Sequence, residues 1–361
     1  MMNRIHKKHR LLKALLSIFL VLLLIVAGYA AYVFIAYNRL PDNLTLDVSG
    51  NASDSVQAET EYSVLSFNIG FGAYEPDYSF FMDGGTQSWA WSKERLLKNM
   101  DAIQSFLVST NADFYLLQEV DEKSTRTYKV NERAMIEESF AASNLDNVFA
   151  RNWNSPFLFY PFTQPHGKSI TGILTASRFD ITSSLRRSLP IEDSVMKIVD
   201  LDRCYSVSRV SVKNGRELVL YNVHLSAYTS DGSIATEQLR LLLNDMTLEY
   251  EKGNYAICGG DFNKDLLGDS SLYFGISGQA YSWAQPVPVE LFNDLPLTLV
   301  AGTNVPSCRV AEAPYNPQQF VLTLDGFITS DNVQVLDITV VDTAFTYSDH
   351  NPTLLTFTLL P

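Results

Sequence analysis

Apolar residues recur along the chain in two patterns, and each predicts one type of secondary structure. Stripes with a period near 3.6 residues predict helices over 92–108, 133–142 and 233–251, with Ser92 suited to be the N-cap of the first helix. Short apolar or alternating runs predict strands over 62–67, 113–118, 172–177, 204–212, 217–222, 255–261, 324–330, 333–341 and 353–359. Because these elements interleave, and because Asn214-Gly215 marks a hairpin, we expect an α+β fold in which two mixed sheets pack face to face with helices outside.

The N-terminal region has a different pattern. No charged residue occurs from Ala14 to Tyr37, and five Lys and Arg residues precede this stretch within residues 1–13. Since about 20 apolar residues span a bilayer, we expect a transmembrane helix over 14–37. The basic flank places residues 1–13 in the cytoplasm and the rest of the chain outside, as a single-pass protein of the cell membrane. A signal peptide cleaved near Gly28-Tyr29-Ala30 is the alternative, but the length of the apolar run favours an uncleaved signal anchor.

The polar segment 38–60 separates this helix from the predicted strands. It is rich in Asn, Ser, Asp and Thr and has no apolar periodicity, so we expect a flexible linker. No internal repeat divides residues 61–361, which we expect to form one monomeric domain.

The charge of the chain limits its partners. Outside the N-terminal region, 22 Lys and Arg residues face 40 Asp and Glu residues, and no basic stripe occurs. Proteins that hold long nucleic acids gain much of their affinity by neutralising phosphates. Stable nucleic-acid binding is therefore not expected, although a local positive pocket remains compatible with this composition.

Cysteine chemistry contributes little. The chain has three cysteines, which are too few and too scattered for a disulfide framework, and no CxxC or Cys/His cluster suggests zinc. Cys258 lies in an apolar run and is expected to be a small buried hydrophobe.

Five short motifs place polar residues at or near the ends of predicted strands, where an α/β scaffold presents its chemistry. In chain order they are Ser66-Phe67-Asn68-Ile69, Gln118-Glu119-Val120, Asn222-Val223-His224-Leu225, Gly259-Gly260-Asp261-Phe262-Asn263 and Ser348-Asp349-His350. Each motif is weak alone, but the ordered set is hard to obtain by accident.

This set resembles the active site of the endonuclease/exonuclease/phosphatase superfamily. These metal-dependent phosphoesterases are related to pancreatic-type deoxyribonucleases, abasic-site endonucleases, neutral sphingomyelinases and inositol-phosphate phosphatases. The resemblance covers about residues 61–361. It implies a four-layer α/β sandwich and a hydrolase of phosphate esters.

The resemblance also implies a metal site. Glu119 would be the main carboxylate for Mg²⁺, with Asn68 as its neighbour and Asp349 as a second carboxylate. Mg²⁺ commonly takes one or two carboxylates together with water and phosphate oxygens, and Mn²⁺ is an expected substitute. From the residues alone, Glu119 as a solvated strand end and Asn68 as a strand cap stay open.

Asp261 and Asn263 are two residues apart after a strand, so in an extended chain they point to the same side. The resemblance implies that Asp261 positions or activates the attacking water and that Asn263 contacts the phosphoryl group. We assign Asn222 to the same substrate-binding set. An Asx-type turn is the alternative for the pair that surrounds Phe262.

Two of the three histidines outside the N-terminal region lie in the motifs. By resemblance, His350 is catalytic and Asp325 orients it, while His224 acts on the phosphate or the leaving group, as in the nuclease, sphingomyelinase and inositol phosphatase branches. A carboxylate beside an imidazole fixes its tautomer and raises its pKa, which suits proton transfer. Lys168, Arg126 and Arg309 are candidate phosphate contacts, and a solvated surface position is the alternative for each.

We therefore predict a membrane-anchored, extracytoplasmic, Mg²⁺-dependent phosphodiesterase or phosphatase that acts on a small or lipid-linked phosphate ester. An extracellular nuclease on the same scaffold is the alternative, which the acidic chain disfavours. A catalytically idle binding protein is the third interpretation, and the residue types at the motif positions argue against it.

Overall fold

The computed structural model describes residues 2–192, 195–198, 201–227, 233–276 and 284–361. Its helices are α1 (Met2–Ala36), α2 (Lys93–Thr110), α3 (Glu132–Ala142), α4 (Ser233–Glu251) and α5 (Ser270–Phe274). Its strands are β1 (Leu44–Thr45), β2 (Val48–Ser49), β3 (Glu61–Asn68), β4 (Phe114–Asp121), β5 (Asp146–Asn154), β6 (Ile170–Ser177), β7 (Ile181–Ser188), β8 (Cys204–Ser211), β9 (Glu217–His224), β10 (Tyr255–Asp261), β11 (Leu297–Val300), β12 (Cys308–Arg309), β13 (Val321–Leu322), β14 (Asp325–Ser330), β15 (Val333–Val340) and β16 (Thr353–Leu359).

Within the described residues, these strands form two seven-stranded mixed sheets and one two-stranded sheet. Sheet A has the order β1-β7-β8-β9-β10-β14-β11, and sheet B has the order β15-β16-β3-β4-β6-β5-β2. Strands β12 and β13 pair separately. Both large sheets contain one parallel pair near the centre, β9 with β10 in sheet A and β3 with β4 in sheet B.

The two sheets pack face to face. Leu116 and Phe357 of sheet B share a buried cluster with Leu220 and Ile257 of sheet A. Because successive side chains of a strand point to opposite faces, the intervening residues meet the helices outside. Helices α2 and α3 cover sheet B, and α4 covers sheet A. The predicted four-layer sandwich is confirmed.

Several predicted elements lie within a few residues of their observed bounds. Ser92 caps α2, since its hydroxyl accepts a hydrogen bond of 3.2 Å from the backbone N–H of Arg95. The sequence patterns did not predict β5, β7 or β11. In β5 and β7 the buried positions include polar residues such as Asn147 and Arg186, which interrupt the apolar pattern.

The segment predicted as a flexible linker, 38–60, packs on the domain. Strand β1 pairs with β7, and β2 pairs with β5. Val56 is fully buried between the two sheets. The sparse apolar residues of this segment form no periodic pattern, so composition alone indicated a flexible chain. The linker prediction is corrected for residues 44–56.

Helix α1 is the one described helix that is long and apolar enough to cross a membrane. Residues His6–Ala36 reach a mean hydropathy of 2.7 over their most apolar window, of which 6% is buried. A core helix would be mostly buried, so α1 is not part of the domain core.

Candidate active site

Three neighbouring strands of sheet A, β9, β10 and β14, bring polar residues together at one end of the strands. In register, Asp261 of β10 lies beside His224 of β9 and beside Asp325 of β14. Gly260, with φ +154°, allows this close pairing because a β-carbon there would overlap the carbonyl oxygen of Val223. The backbone therefore fixes three of the predicted site residues side by side.

Sheet B supplies the facing residues from β3 and β4, where Asn68 pairs with Gln118. The pairing of β4 with β6 shifts register between Leu117 and Val120, which is a β-bulge. Glu119 lies in this bulge with φ +56°. A bulge re-aims a side chain out of the regular ladder, and a left-handed backbone at a non-glycine residue is a strain often found at functional sites. The bulge turns Glu119 into the space between the sheet ends.

These strand ends and the loops above them surround one cleft. Eight of the predicted site residues line it, namely Glu119, Arg126, His224, Asp261, Asn263, Arg309, Asp349 and His350. Asn68 and Asp325 lie directly behind the lining residues that they contact.

One side of the cleft, the imidazole half, consists of His224, Asp261, Asp325 and His350. His350 Nδ1 lies 2.7 Å from Asp325 Oδ2, which also accepts a 2.7 Å hydrogen bond from Ser307 Oγ. The other ring nitrogen, His350 Nε2, lies 3.7 Å from Asp261 Oδ2, and His224 Nε2 lies 3.5 Å from the same oxygen. Two imidazoles thus converge on one carboxylate.

The two histidines of the imidazole half have opposite electrostatic surroundings. Burial lowers the pKa of His224 well below its ordinary value, and nearby arginines and His350 lower it further. Burial also lowers the pKa of His350, but the Asp325 carboxylate, the Cys308 thiol and Asp261 raise it well above its ordinary value. Burial raises the pKa of Asp261 to about 7. The neighbouring groups thus favour neutral His224 and protonated His350.

The opposite side, the acidic half, consists of Asn68, Glu119 and Asp349. Asn68 Nδ2 donates to Glu119 Oε1 at 3.2 Å and to Asp261 Oδ2 at 3.1 Å, so Asn68 connects the two halves. Burial raises the pKa of Asp349. Burial and the carboxylates of Asp349 and Glu119 raise the pKa of the Tyr74 phenol, which also lines the cleft.

The acidic half fits a hard divalent cation. Within the described residues, Glu119 and Asp349 take part in no ion pair with Lys or Arg. The described residues also contain no cluster of three or more His, Cys, Asp or Glu side chains that would hold a metal without further ligands. Two carboxylates that make no described ion pair with Lys or Arg match the small protein contribution that Mg²⁺ typically uses. Glu119 and Asp349 are the residues that would hold it.

Three arginines, Arg126, Arg203 and Arg309, bring positive charge to the same cleft. Arg309 is 1% exposed; its Nη2 donates to the carbonyl oxygens of Tyr74 and Glu75, while Nε and Nη1 have no hydrogen-bond partner. Arg126 makes a two-point ion pair with Asp121. A positive wall therefore exists within an acidic chain, and Arg309 has donors to offer an anion.

A sequence model of the Endonuclease/Exonuclease/phosphatase family matches residues 65–350. The chain belongs to this family. Its members are phosphoesterases of the hydrolase class and generally depend on divalent metals, so the chain is a phosphate-ester hydrolase. None of the curated proteins matches the chain significantly in sequence.

Solved structures of the family share the fold at low sequence identity. A family protein from Beutenbergia cavernae is 16% identical, with a TM-score of 0.57 over 83% of this chain and 72% of that protein. ANGEL2, a 2′,3′-cyclic phosphatase in complex with adenosine-2′,3′-vanadate, is 17% identical, with a TM-score of 0.55 over 87% and 98%. A family protein from Leptotrichia buccalis is 15% identical, with a TM-score of 0.54 over 82% and 99%.

Two residues that we predicted as substrate contacts lie elsewhere in this member of the family. Asn222 is fully buried between the sheets, where its Nδ2 donates to the carbonyl oxygens of Leu117 and Leu174 and its Oδ1 accepts from Gln118. The side chain of Lys168 is exposed and does not line the cleft. Both predictions are corrected: Asn222 joins the sheets, and Lys168 is a surface cation.

The lining residues that the sequence left unassigned include Tyr74, Trp153, His166 and Arg203. His166 is buried, stacks near Trp153 and lies 3.1 Å from Ser169 Oγ through Nε2. Burial lowers its pKa to about 3. None of the five motifs contains these residues: Tyr74 and His166 lie in loops, Trp153 is next to last in the unpredicted strand β5, and Arg203 directly precedes β8.

Proposed function

We propose that the chain is a membrane-anchored, extracytoplasmic, Mg²⁺-dependent phosphodiesterase or phosphatase that hydrolyses a small or lipid-linked phosphate ester. The observation that carries this proposal is the meeting of the acidic half and the imidazole half in one cleft, joined through Asn68. A phosphoesterase needs negative groups for a cation and proton-handling groups within reach of the same phosphorus.

The geometry supports one division of labour. Asp261 Oδ2 positions the attacking water and takes its proton, because this oxygen faces both imidazoles. His350 presents Nε2 to a phosphoryl oxygen while Asp325 holds the other ring nitrogen. His224 faces the phosphate or the leaving oxygen from the β9 side.

The remaining polar groups orient the ester. Asn263 lines the cleft, its backbone N–H donates to Asp261 Oδ1 at 2.8 Å, and its Nδ2 donates to the carbonyl oxygen of Leu225. Arg309 offers Nε and Nη1 to phosphate oxygens. Glu119 and Asp349 would hold a Mg²⁺ ion, which would supply positive charge beside a phosphoryl oxygen.

The membrane location rests on the N-terminal region. Helix α1 is exposed and apolar, and a basic segment precedes its apolar part. The positive-inside rule then orients the domain away from the cytoplasm. A reporter fused after Pro361 should be accessible from outside intact cells, and a cytoplasmic reporter would contradict this orientation.

The decisive experiment compares substrates on the purified full-length chain in lipid nanodiscs. A phosphomonoester, a simple phosphodiester, sphingomyelin and single-stranded and duplex DNA are offered at matched phosphate concentration. We expect hydrolysis of a small or lipid-linked ester, with a shallow dependence of KM on NaCl, since a site for one phosphate releases few counterions. Faster cleavage of DNA than of every other ester, with a steep salt dependence, would favour the nuclease.

A further inference from the structure

The loop 157–162, here called the aromatic loop, exposes a cluster of large aromatic side chains. Phe159, Tyr160 and Phe162 are 50%, 65% and 84% exposed. Residues 152–167 contain no Asp, Glu, Lys or Arg. A contiguous, uncharged aromatic surface of this kind marks an interaction site.

Two tyrosines of helix α1 make hydrogen bonds and a ring contact with the aromatic loop. The Tyr29 hydroxyl donates to the carbonyl oxygen of Phe157 at 3.0 Å and accepts from the N–H of Phe159 at 3.2 Å. The Tyr32 hydroxyl accepts from the N–H of Phe157 at 3.0 Å, and the rings of Tyr29 and Phe159 meet edge to face at 5.1 Å. The loop is therefore at the level of Tyr29 and Tyr32 along the helix.

That level corresponds to the outer surface of a bilayer. A hydrocarbon core of about 30 Å accommodates roughly 20 helical residues, so a span counted from Ala14, where the uncharged stretch begins, ends near Val33. Tyr29 and Tyr32 then lie at the outer interface, where tyrosine is enriched in membrane proteins. The aromatic loop, bonded to both, lies at the same depth.

The cleft adjoins this level. After α1, Arg39 Nε lies 2.9 Å from Asp202 Oδ1, and the backbone N–H of Leu40 donates to Asp202 Oδ2 at 2.9 Å. Asp202 stands between Leu201 and Arg203, which both line the cleft. The residues that follow α1 therefore contact the segment 201–203, which forms part of the cleft wall.

The aromatic loop also contacts a residue beside the cleft. The Tyr160 ring lies 5.9 Å from the ring of Phe81, whose neighbours Phe80 and Met82 line the cleft. Met82 is itself 49% exposed. Apolar surface therefore continues from the aromatic loop to the cleft.

We infer that the aromatic loop inserts into the outer interfacial region of the bilayer that α1 spans. This insertion holds the cleft mouth over the lipid surface, so that the phosphate ester is supplied by a lipid headgroup of the same leaflet. The inference rests on the proposed anchor and deepens the proposed function by naming a lipid substrate.

Fluorescence quenching in the full-length chain tests the insertion without any measurement of activity. An environment-sensitive dye is attached in Phe162→Cys, in Asn214→Cys and in Leu22→Cys, and the protein is reconstituted into phosphatidylcholine vesicles with or without doxyl-labelled lipid. Asn214 is the matched control because it is exposed in the turn before β9, at the opposite end of that strand from His224. The unsubstituted chain reports any labelling of the three native cysteines, which are buried.

We expect doxyl lipid to quench the dye at Leu22→Cys and at Phe162→Cys, and to leave the dye at Asn214→Cys unchanged. Quenching at Leu22→Cys without quenching at Phe162→Cys would overturn the insertion of the loop and leave the membrane anchor in place. This outcome is also the one expected if the loop packs on a second copy of the chain. Absence of quenching at Leu22→Cys would overturn both the anchor and the inference.

A second measurement addresses the lipid substrate. Phe162 does not line the cleft, so Phe162→Ser should leave kcat/KM for a water-soluble ester unchanged. For the same ester carried by a lipid in the vesicle, kcat/KM should fall by about tenfold, the factor that corresponds to losing the burial of one Phe side chain. Equal values of kcat/KM for the lipid-carried ester before and after the substitution would count against the lipid supply.

Discussion

The acidic half and the imidazole half of the cleft contain similar numbers of carboxylates, but their partners differ. In the imidazole half, the Asp325 carboxylate accepts one hydrogen bond from Ser307 and faces His350, and Asp261 faces two imidazoles. In the acidic half, Glu119 accepts from Asn68, and Asp349 accepts from the Ser348 hydroxyl. The carboxylates of the first set therefore lie beside imidazole rings, whereas the hydrogen bonds described for the second set come from uncharged donors.

This difference follows from how the two sheets supply the cleft. Strands β9, β10 and β14 of sheet A carry His224, Asp261 and Asp325 in register. Sheet B carries Asn68 and Glu119, and the segment Ser348-Asp349-His350 contributes one residue to each half. Face-to-face packing of the sheets is therefore a condition for the chemistry as well as for the core.

The largest expected effect tests the acidic half. Chelation with EDTA should reduce hydrolysis to the background rate, and Mg²⁺ or Mn²⁺ should restore it, because oxygen ligands suit these hard cations. Glu119→Gln should raise the Mg²⁺ concentration needed for half of the maximal rate. Steady-state rates measured over a Mg²⁺ titration check both statements.

Glu312→Gln is the matched control, since Glu312 is exposed and does not line the cleft. Its Mg²⁺ titration should coincide with that of the unsubstituted chain. Recovery of the chelated protein by Zn²⁺ alone would contradict the assignment of an oxygen site for Mg²⁺.

The next effect tests the imidazole half. His350→Ala and Asp261→Asn should each lower kcat by about a hundredfold or more, the scale for removal of a positioned acid or base. Their melting temperatures should show that the fold is kept. His166→Ala, which changes a cleft histidine outside both halves, should lower kcat much less. Wild-type kcat in both His350→Ala and Asp261→Asn would show that the assigned centre is wrong.

The motif residues of both halves lie together in or directly behind one cleft, because they stand at strand ends that the local sequence pattern already predicts. Asn222 lies outside the cleft for a physical reason. Asn222 and His224 are two residues apart and share the inner face of β9, but sheet B covers Asn222, and the cleft opens only at His224. Where the opposing sheet ends is a tertiary property.

The same limit applies to Arg203 and to the segment 44–56. Arg203 reaches the cleft because the chain before β8 folds back onto Arg186, whose Nη2 donates to the carbonyl oxygen of Asp202 at 2.8 Å. Val56 is buried because it pairs with Val212, which follows β8, and because it packs in the cluster between the two sheets. The local pattern of apolar and polar residues predicts neither arrangement.

A smaller effect should separate the positive wall from both halves. Arg309→Lys keeps one positive charge and loses the two-point donor geometry, so kcat/KM should fall by about tenfold, the cost of one hydrogen bond to a charged group. We expect the change mainly in KM, measured by steady-state kinetics. Arg216→Lys, on the hairpin away from the cleft, should leave KM unchanged. A fall in kcat with constant KM would place Arg309 in the imidazole half instead.

Stability, more than catalysis, should change in Asn222→Ala. The substitution leaves the carbonyl oxygens of Leu117 and Leu174 without their buried donor, so the free energy of unfolding should fall by about 1–3 kcal/mol. Denaturant titration measures this loss. At a temperature where the variant is folded, KM should equal that of the unsubstituted chain, and a raised KM would return Asn222 to the substrate-binding set.

The smallest effect is expected for Lys168→Ala. The Lys168 side chain is exposed, and its described hydrogen bonds come from the backbone, whose N–H donates to Thr125 Oγ1 at 3.0 Å and whose carbonyl oxygen accepts from the N–H of Thr125. A substitution that keeps the backbone keeps both bonds, and surface changes of this kind usually alter the free energy of unfolding by less than about 0.5 kcal/mol. Melting temperature and kcat/KM for a soluble ester should therefore match those of the unsubstituted chain, in contrast to Arg309→Lys. A fall in kcat/KM as large as that of Arg309→Lys would mean that the loop carrying Lys168 closes over the substrate and belongs to the positive wall.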